Sequence, residues 1–115
     1  MANNPFTPLE TIDDLDSAIT RSHERPAILF LHDRWCPISA NAYREMSRLD
    51  SETAAQTTLV DVTRGQELTH AIAERTGVRH ESPQVIVLRD GKASWHASHF
   101  AITAKAVTKA IADPA

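Results

Sequence analysis

The one cysteine of this 115-residue chain, Cys36, is the side chain with the most chemistry to offer, and it stands in the run Arg34-Trp35-Cys36-Pro37-Ile38-Ser39. A thiolate is a nucleophile toward disulfides, and its reactivity is set by nearby charge and hydrogen bonding. With a single cysteine, an internal disulfide and a cysteine-rich zinc site are both excluded, so any sulfur chemistry joins Cys36 to another molecule. Pro37 is tolerated only in the first turn of a helix, which places Cys36 at a helix N-terminus. Unpaired amide groups and the positive end of the helix dipole favour an anion there. The dipole contributes roughly 0.3–1 kcal/mol, whereas lowering a thiol pKa from about 8.5 to about 6 requires roughly 3.4 kcal/mol. Hydrogen bonds from first-turn amides or from the Ser39 hydroxyl, roughly 1.5–3 kcal/mol each when one partner is charged, would have to supply the rest, with Arg34 a further cationic contributor. The competing reading is an inert, small, buried hydrophobe, which most lone intracellular cysteines are. The position before Pro37 favours the reactive thiol.

Other residues gather around this reading. Ser82-Pro83 directly precedes the expected buried strand Gln84 to Leu88. A cis bond there would expose the Ser82 backbone to an extended substrate near Cys36, although an ordinary strand-start proline looks the same in sequence. Trp35 offers either a docking surface beside the thiol or a lid on the end of a sheet. His32 and Cys36 are four apart, but a strand end and a loop separate them. Together with His80, His96 and His99 they are not expected to bind a metal. His80-Glu81 and His96 would either assist proton transfer to a leaving thiolate or simply face solvent.

The elements that must position these residues follow from periodicity. Thr11 with Asp14 resembles a capping box, and Ile12, Leu15, Ala18 and Ile19 repeat at helical spacing, which predicts a helix from about Thr11 to His23. Pro26 to His32 reads as a strand buried on both faces. Ala40, Tyr43, Met46 and Leu49 continue the helix begun at Pro37. Thr57 to Thr63 reads as a strand, and Leu68, Ala71, Ile72 and Arg75 form a helix closed by Gly77. Gln84 to Arg89 is another buried strand. Asp90-Gly91 then turns the chain into Lys92 to Ser98, with Ala93, Trp95 and Ala97 sharing a face. Thr103 caps a last helix with Ala104, Val107, Ala110 and Ile111 as its packing stripe. A short extra strand is expected around Pro8 to Glu10. Crossover helices make the first two long strands parallel and the tight turn makes the last two antiparallel, giving an α/β fold with a mixed central sheet, a C-terminal β-hairpin and helices on both faces. This is the thioredoxin-like arrangement, in which a Cys-x-x-Cys sits at the strand-to-helix junction that here carries Cys-x-x-Ser.

Nothing divides the sequence, so residues 1–115 are read as one domain with an ordered core from about Leu9 to Ala112 and tails at Met1 to Pro8 and Asp113 to Ala115. A net charge of -3 gives no reason to expect nucleic acid or an anionic membrane as partner. The start, Met1-Ala2-Asn3-Asn4-Pro5, resembles no signal peptide, and the longest apolar run is too short to span a bilayer. A cytoplasmic location is the expectation, and a free thiol persists in that reducing compartment.

Cys36-Pro37-Ile38-Ser39, continued by Ala42-Tyr43-Arg44-Glu45, together with Val78-Arg79-His80-Glu81-Ser82-Pro83-Gln84 and Trp95-His96-Ala97-Ser98-His99, resembles the monothiol bacilliredoxin family, also called YtxJ-like proteins. The resemblance covers about Leu9 to Ala112. It implies a thioredoxin fold and a thiol-disulfide oxidoreductase that removes bacillithiol, or a similar low-molecular-weight thiol, from mixed disulfides on S-thiolated proteins. Cys36 then matches the reactive cysteine and Ser82-Pro83 the proline loop, with Trp35, Pro37 and Ser39 as supports. No bound cofactor is implied; the small thiol is a co-substrate. Members often carry threonine or another non-aromatic residue before the cysteine, where this chain has Trp35 as thioredoxins do. Two other readings stay open: a carrier that shares an iron-sulfur cluster between two chains, and a redox-inert adaptor that presents the Trp35 surface.

Overall fold

Strand β2, Ala27–His32, is the centre of the molecule, and its side chains alternate between two cores. Leu29 and Leu31 point into one, with Leu15 and Ala18 of helix α1 (Ile12–Arg21) and Ala71 and Ile72 of helix α4 (Gln66–Thr76). Ile28 and Phe30 point into the other, with Ala42 and Met46 of helix α2 (Pro37–Met46) and Val107 of helix α5 (Ala104–Ala112). A strand clad on both faces has no polar side, which is why Ala27 to Leu31 is continuously apolar. The computed structural model describes residues 5–113.

Around β2 the sheet runs β1-β3-β2-β4-β5, with β1 at Thr7–Pro8, β3 at Thr57–Asp61, β4 at Gln84–Arg89 and β5 at Lys92–Ser98. β2 and β3 are parallel, with His32 beside Asp61. β4 is antiparallel to both β2 and β5, placing Leu31 beside Gln84 and Gln84 beside Ser98. The mixed sheet with α1 and α4 on one face and α2 and α5 on the other is the expected architecture. Asp90 and Gly91 take φ of 52° and 79°, the doubly left-handed turn that an Asp-Gly pair favours. That turn is latched to the end of α1: Asp90 N–H donates to the Ser22 carbonyl at 2.8 Å, and Gly91 N–H to the Ser22 hydroxyl at 2.8 Å.

Local signals perform as their chemistry dictates. Thr11 and Asp14 form the reciprocal capping box, Thr103 accepts from Ala106 N–H, and Gly77 closes α4 at φ 72°. Differences have identifiable causes. β3 ends at Asp61, because the Asp61 carboxylate accepts from Thr63 N–H and turns Val62–Arg64 into a 3₁₀ turn. Asp50 caps an additional short helix, α3 (Ser51–Ala55), by accepting from Thr53 N–H at 2.7 Å. The expected N-terminal tail is not a tail at Phe6, which is 3% exposed and packs edge-on against Phe30 and Tyr43. The extra strand lies at Thr7–Pro8, overlapping the expected Pro8 to Glu10, with Leu9 N–H continuing the pairing to the Leu59 carbonyl. Residues 1–4 and 114–115, on which the expectations about the leader and the extreme tails rest, lie outside the described residues. In α2 the inward stripe is Ser39, Ala42 and Met46, with Ala40 exposed. A bulge at Ser94 breaks the register between Val87 and Leu88, so Ala93 packs with the α1/α4 core while Trp95 and Ala97 pack with the other. The three therefore do not share a face.

Candidate active site

The register fixes which segments meet. Asp33 to Cys36 leaves the C-terminal end of β2, Ser82 and Pro83 enter β4 at the same end, and His99 leaves β5 there. Asp61 ends β3 beside His32. Residues far apart in sequence are thereby gathered at one edge of the sheet.

Cys36 is the N-cap of α2, in extended conformation (φ -103°, ψ 124°), half-buried, with its carbonyl accepting from Ala40 N–H at 3.0 Å and Pro37 in the first turn. The turn that presents it is built by Asp33. The Asp33 carbonyl accepts from Cys36 N–H at 3.1 Å, its carboxylate accepts from Trp35 N–H at 2.9 Å, and its own N–H donates to the Ser39 hydroxyl oxygen at 3.2 Å. The Ser39 oxygen is directed to the loop's Asp33 amide, which leaves its hydroxyl proton free to donate, and the Cys36 side chain makes no capping bond to the first turn. Arg34 is also directed elsewhere. Its guanidinium donates to the Asp61 carboxylate at 2.8 Å and lies 5.7 Å from the Trp35 ring centre. Asp33 was not singled out in the sequence; Asp two residues before an amide in a loop is the signal that could have found it.

Ser82-Pro83 is a cis peptide bond. Its approach is held by the buried Gln84, whose amide donates to the Arg79 carbonyl at 2.9 Å and accepts from Glu81 N–H. The Ser82 hydroxyl oxygen is buried with no hydrogen-bond partner among the described residues. The Pro83 carbonyl accepts from His99 N–H at 3.0 Å, and His99 Nε2 lies 3.9 Å from the Glu81 carboxylate. His80 is exposed, and His96 is exposed across from Ile86 in the body of β5. Trp35 is 78% exposed, so it does not close the sheet; Trp95 is half-buried against the α2/α5 core.

His32 packs against the rings of Phe30 and Tyr43, at centre distances of 5.6 Å and 5.3 Å. Burial pushes its pKa below the ordinary value, with the Arg34 charge acting in the same direction and Asp61 and Asp33 opposing. Burial likewise raises that of Tyr43. For Asp61, burial acts to raise the pKa but is outweighed by Thr63 hydrogen bonds and the Arg34 charge, which hold it low. Among the described residues no three of His, Cys, Asp and Glu converge as metal ligands, and no helix is long and apolar enough to cross a membrane. A cavity of about 350 Å³ opens beside β1 and the start of α4, lined by Leu9, Leu59 and Arg64 but not by Cys36.

The arrangement offers one free, half-buried thiol at a helix N-terminus, at the end of the sheet where Ser82-Pro83 enters β4. The family model described as monothiol bacilliredoxin BrxC matches residues 7–107. A solved structure presented as a candidate oxidoreductase with a thioredoxin fold is 30% identical, with 90% of this chain and 91% of that chain covered and a TM-score of 0.80. Thioredoxin from Fasciola hepatica is 19% identical over 93% of this chain and 97% of its own, with a TM-score of 0.72. A variant thioredoxin from Halobacterium salinarum is 20% identical over 96% and 93%, with a TM-score of 0.67. These last two share the fold.

Proposed function

Since the chain belongs to the monothiol bacilliredoxin family, we propose that it removes bacillithiol, or a similar low-molecular-weight thiol, from mixed disulfides on S-thiolated proteins. The observation that carries this reading is the setting of the sole cysteine: Cys36 is free, half-buried and held by the Asp33 turn at the start of α2, ahead of Pro37. Its thiolate attacks the small-thiol sulfur of the mixed disulfide. That S–S bond breaks, the target leaves as a thiolate that takes a proton from solvent, and a new S–S bond joins the small thiol to Cys36. Ser39 cannot displace the adduct, because a hydroxyl is not an exchange nucleophile at neutral pH. An external thiol must resolve it, making the small thiol a co-substrate. Trp35, Pro37, Ser39, Ser82 and Pro83 are the residues assigned here to support the exchange, and a reducing compartment such as the cytoplasm keeps Cys36 free.

Incubation with bacillithiol disulfide followed by intact-mass spectrometry tests the reading. The expected result is a single adduct on Cys36, absent in Cys36→Ser and released by added thiol. Failure of Cys36 to form an adduct with any small disulfide overturns it and favours an adaptor.

A further inference from the structure

Between His32 at the end of β2 and Pro37 at the start of α2, the chain has little apolar burial to hold its shape. Trp35 is 78% exposed and Arg34 is exposed beside it. Polar contacts must therefore fix the backbone there, and Asp33 supplies one from each of its three polar groups. Its carbonyl accepts from Cys36 N–H at 3.1 Å, closing a turn over Arg34 and Trp35. Its N–H donates to the Ser39 oxygen at 3.2 Å, tying that turn to the start of α2. Its carboxylate accepts from Trp35 N–H at 2.9 Å, two positions on. Only this third contact depends on the side chain. A two-residue reach suits Asp or Asn, whereas Ala has no acceptor and the extra methylene of Glu carries its oxygen past the amide. Cys36 is half-buried and its side chain makes no capping bond, so the sulfur points where the backbone of the turn directs it.

We propose that Asp33 is a positioning residue for disulfide exchange: by holding the Trp35 amide, its carboxylate keeps Cys36 extended, at φ -103° and ψ 124°, so that the thiol meets an incoming disulfide from one fixed direction. This rests on Cys36 exchanging disulfides as proposed above. The attacking sulfur must line up with the S–S bond that breaks, and a nucleophile free to swing loses productive encounters. The role requires an acceptor and not a charge. Asp33 carries the same sign of charge as the thiolate three positions on, so its charge does nothing to draw that anion into place. The neighbouring cation is engaged elsewhere, since the Arg34 guanidinium donates to the Asp61 carboxylate at 2.8 Å. What the reaction draws from Asp33 is the geometry of one hydrogen bond.

The test compares Asp33→Ala, Asp33→Glu and Asp33→Asn with the native chain, using two uncharged reagents. With dithiodipyridine, Cys36 forms an S–S bond to one half and releases the other as an absorbing thiopyridone, one S–S bond replacing another. With iodoacetamide, the same thiolate displaces iodide from a small reagent that can turn to meet it. Asp33 belongs to neither core, and urea midpoints establish that each variant is folded under assay conditions. Asp33→Ala and Asp33→Glu should slow disulfide exchange about tenfold while alkylation stays within about twofold, and Asp33→Asn should restore exchange to within about twofold of native. Ala and Asn carry equal charge, as do Glu and Asp, so each pair reads geometry alone. Exchange in Asp33→Ala or Asp33→Glu at the native rate overturns the proposal. So does an equal fall in exchange and alkylation, which would place the effect on the thiol itself. A rate in Asp33→Asn as low as in Asp33→Ala overturns it too, and would make the carboxylate a charge or a proton acceptor. All three outcomes leave the exchange reading intact. A native Cys36 that is alkylated but inert to dithiodipyridine removes that reading, and this proposal with it.

Discussion

Asp33 and Ser39 hold each other across the reactive turn, the Asp33 N–H donating to the Ser39 oxygen at 3.2 Å from a side chain that is fully buried on the inner face of α2. The last position of Cys-x-x-Ser is therefore a strut for the loop that presents the thiol. Ser39→Ala leaves the Asp33 amide unpaired and should cost about 1–2 kcal/mol of stability, read by urea unfolding. Exchange at Cys36 should slow as the turn loosens. An unchanged midpoint would show that the contact contributes nothing.

The Arg34–Asp61 pair joins two partly exposed side chains at 2.8 Å. Such pairs contribute about 0–1 kcal/mol and are screened by salt. Arg34→Ala should lower stability by less than about 1 kcal/mol, with the difference fading in high salt. A loss that persists in molar salt would mean that packing on Trp35, not charge, is the arginine's contribution.

His32 gives the acid side of the stability profile a defined origin. Burial depresses its folded-state pKa, so between the unfolded value of about 6.5 and the lower folded value the unfolded chain binds more protons. Its contribution is present above pH about 6.5 and is lost as pH falls through the folded value. His32→Phe should flatten the unfolding profile in that window. Titration of the imidazole by NMR at or above the ordinary histidine range would contradict the burial argument.

Gly91 occupies φ 79°, and a Cβ there would lie 3.1 Å from His23 Nε2. Gly91→Ala should cost about 1–2 kcal/mol, from the left-handed backbone and the displaced imidazole. The turn lies at the end of the sheet opposite Cys36, so the alkylation rate of Cys36 in the folded variant should match that of the native protein.

Much of this molecule was legible in its residues, because the signals that set the elements are local. The capping box at Thr11, the left-handed Gly77, the Asp-Gly turn and the two-faced apolar run of β2 each act through neighbours in sequence. The placement of Cys36 was legible for the same reason, since Pro37 confines it to a helix start. What escaped were contacts decided by the third dimension. Arg34 finds Asp61 across 27 positions, and Ser39 turns to Asp33 because its side chain points inward on α2. The bulge at Ser94 changes which core Ala93 enters, and no alternation pattern announces it.

The position of β2 bears on how the chain emerges from the ribosome. Its parallel neighbour begins at Thr57 and its antiparallel neighbour at Gln84, so the most apolar strand is synthesised well before either flank exists. Until Arg89 has been added, Ala27 to Leu31 keeps an open hydrogen-bonding edge on its β4 side, a window in which a nascent chain is prone to pair with another. Translation speed through residues 33–84 and early capture by a holdase therefore bear on the yield of soluble protein.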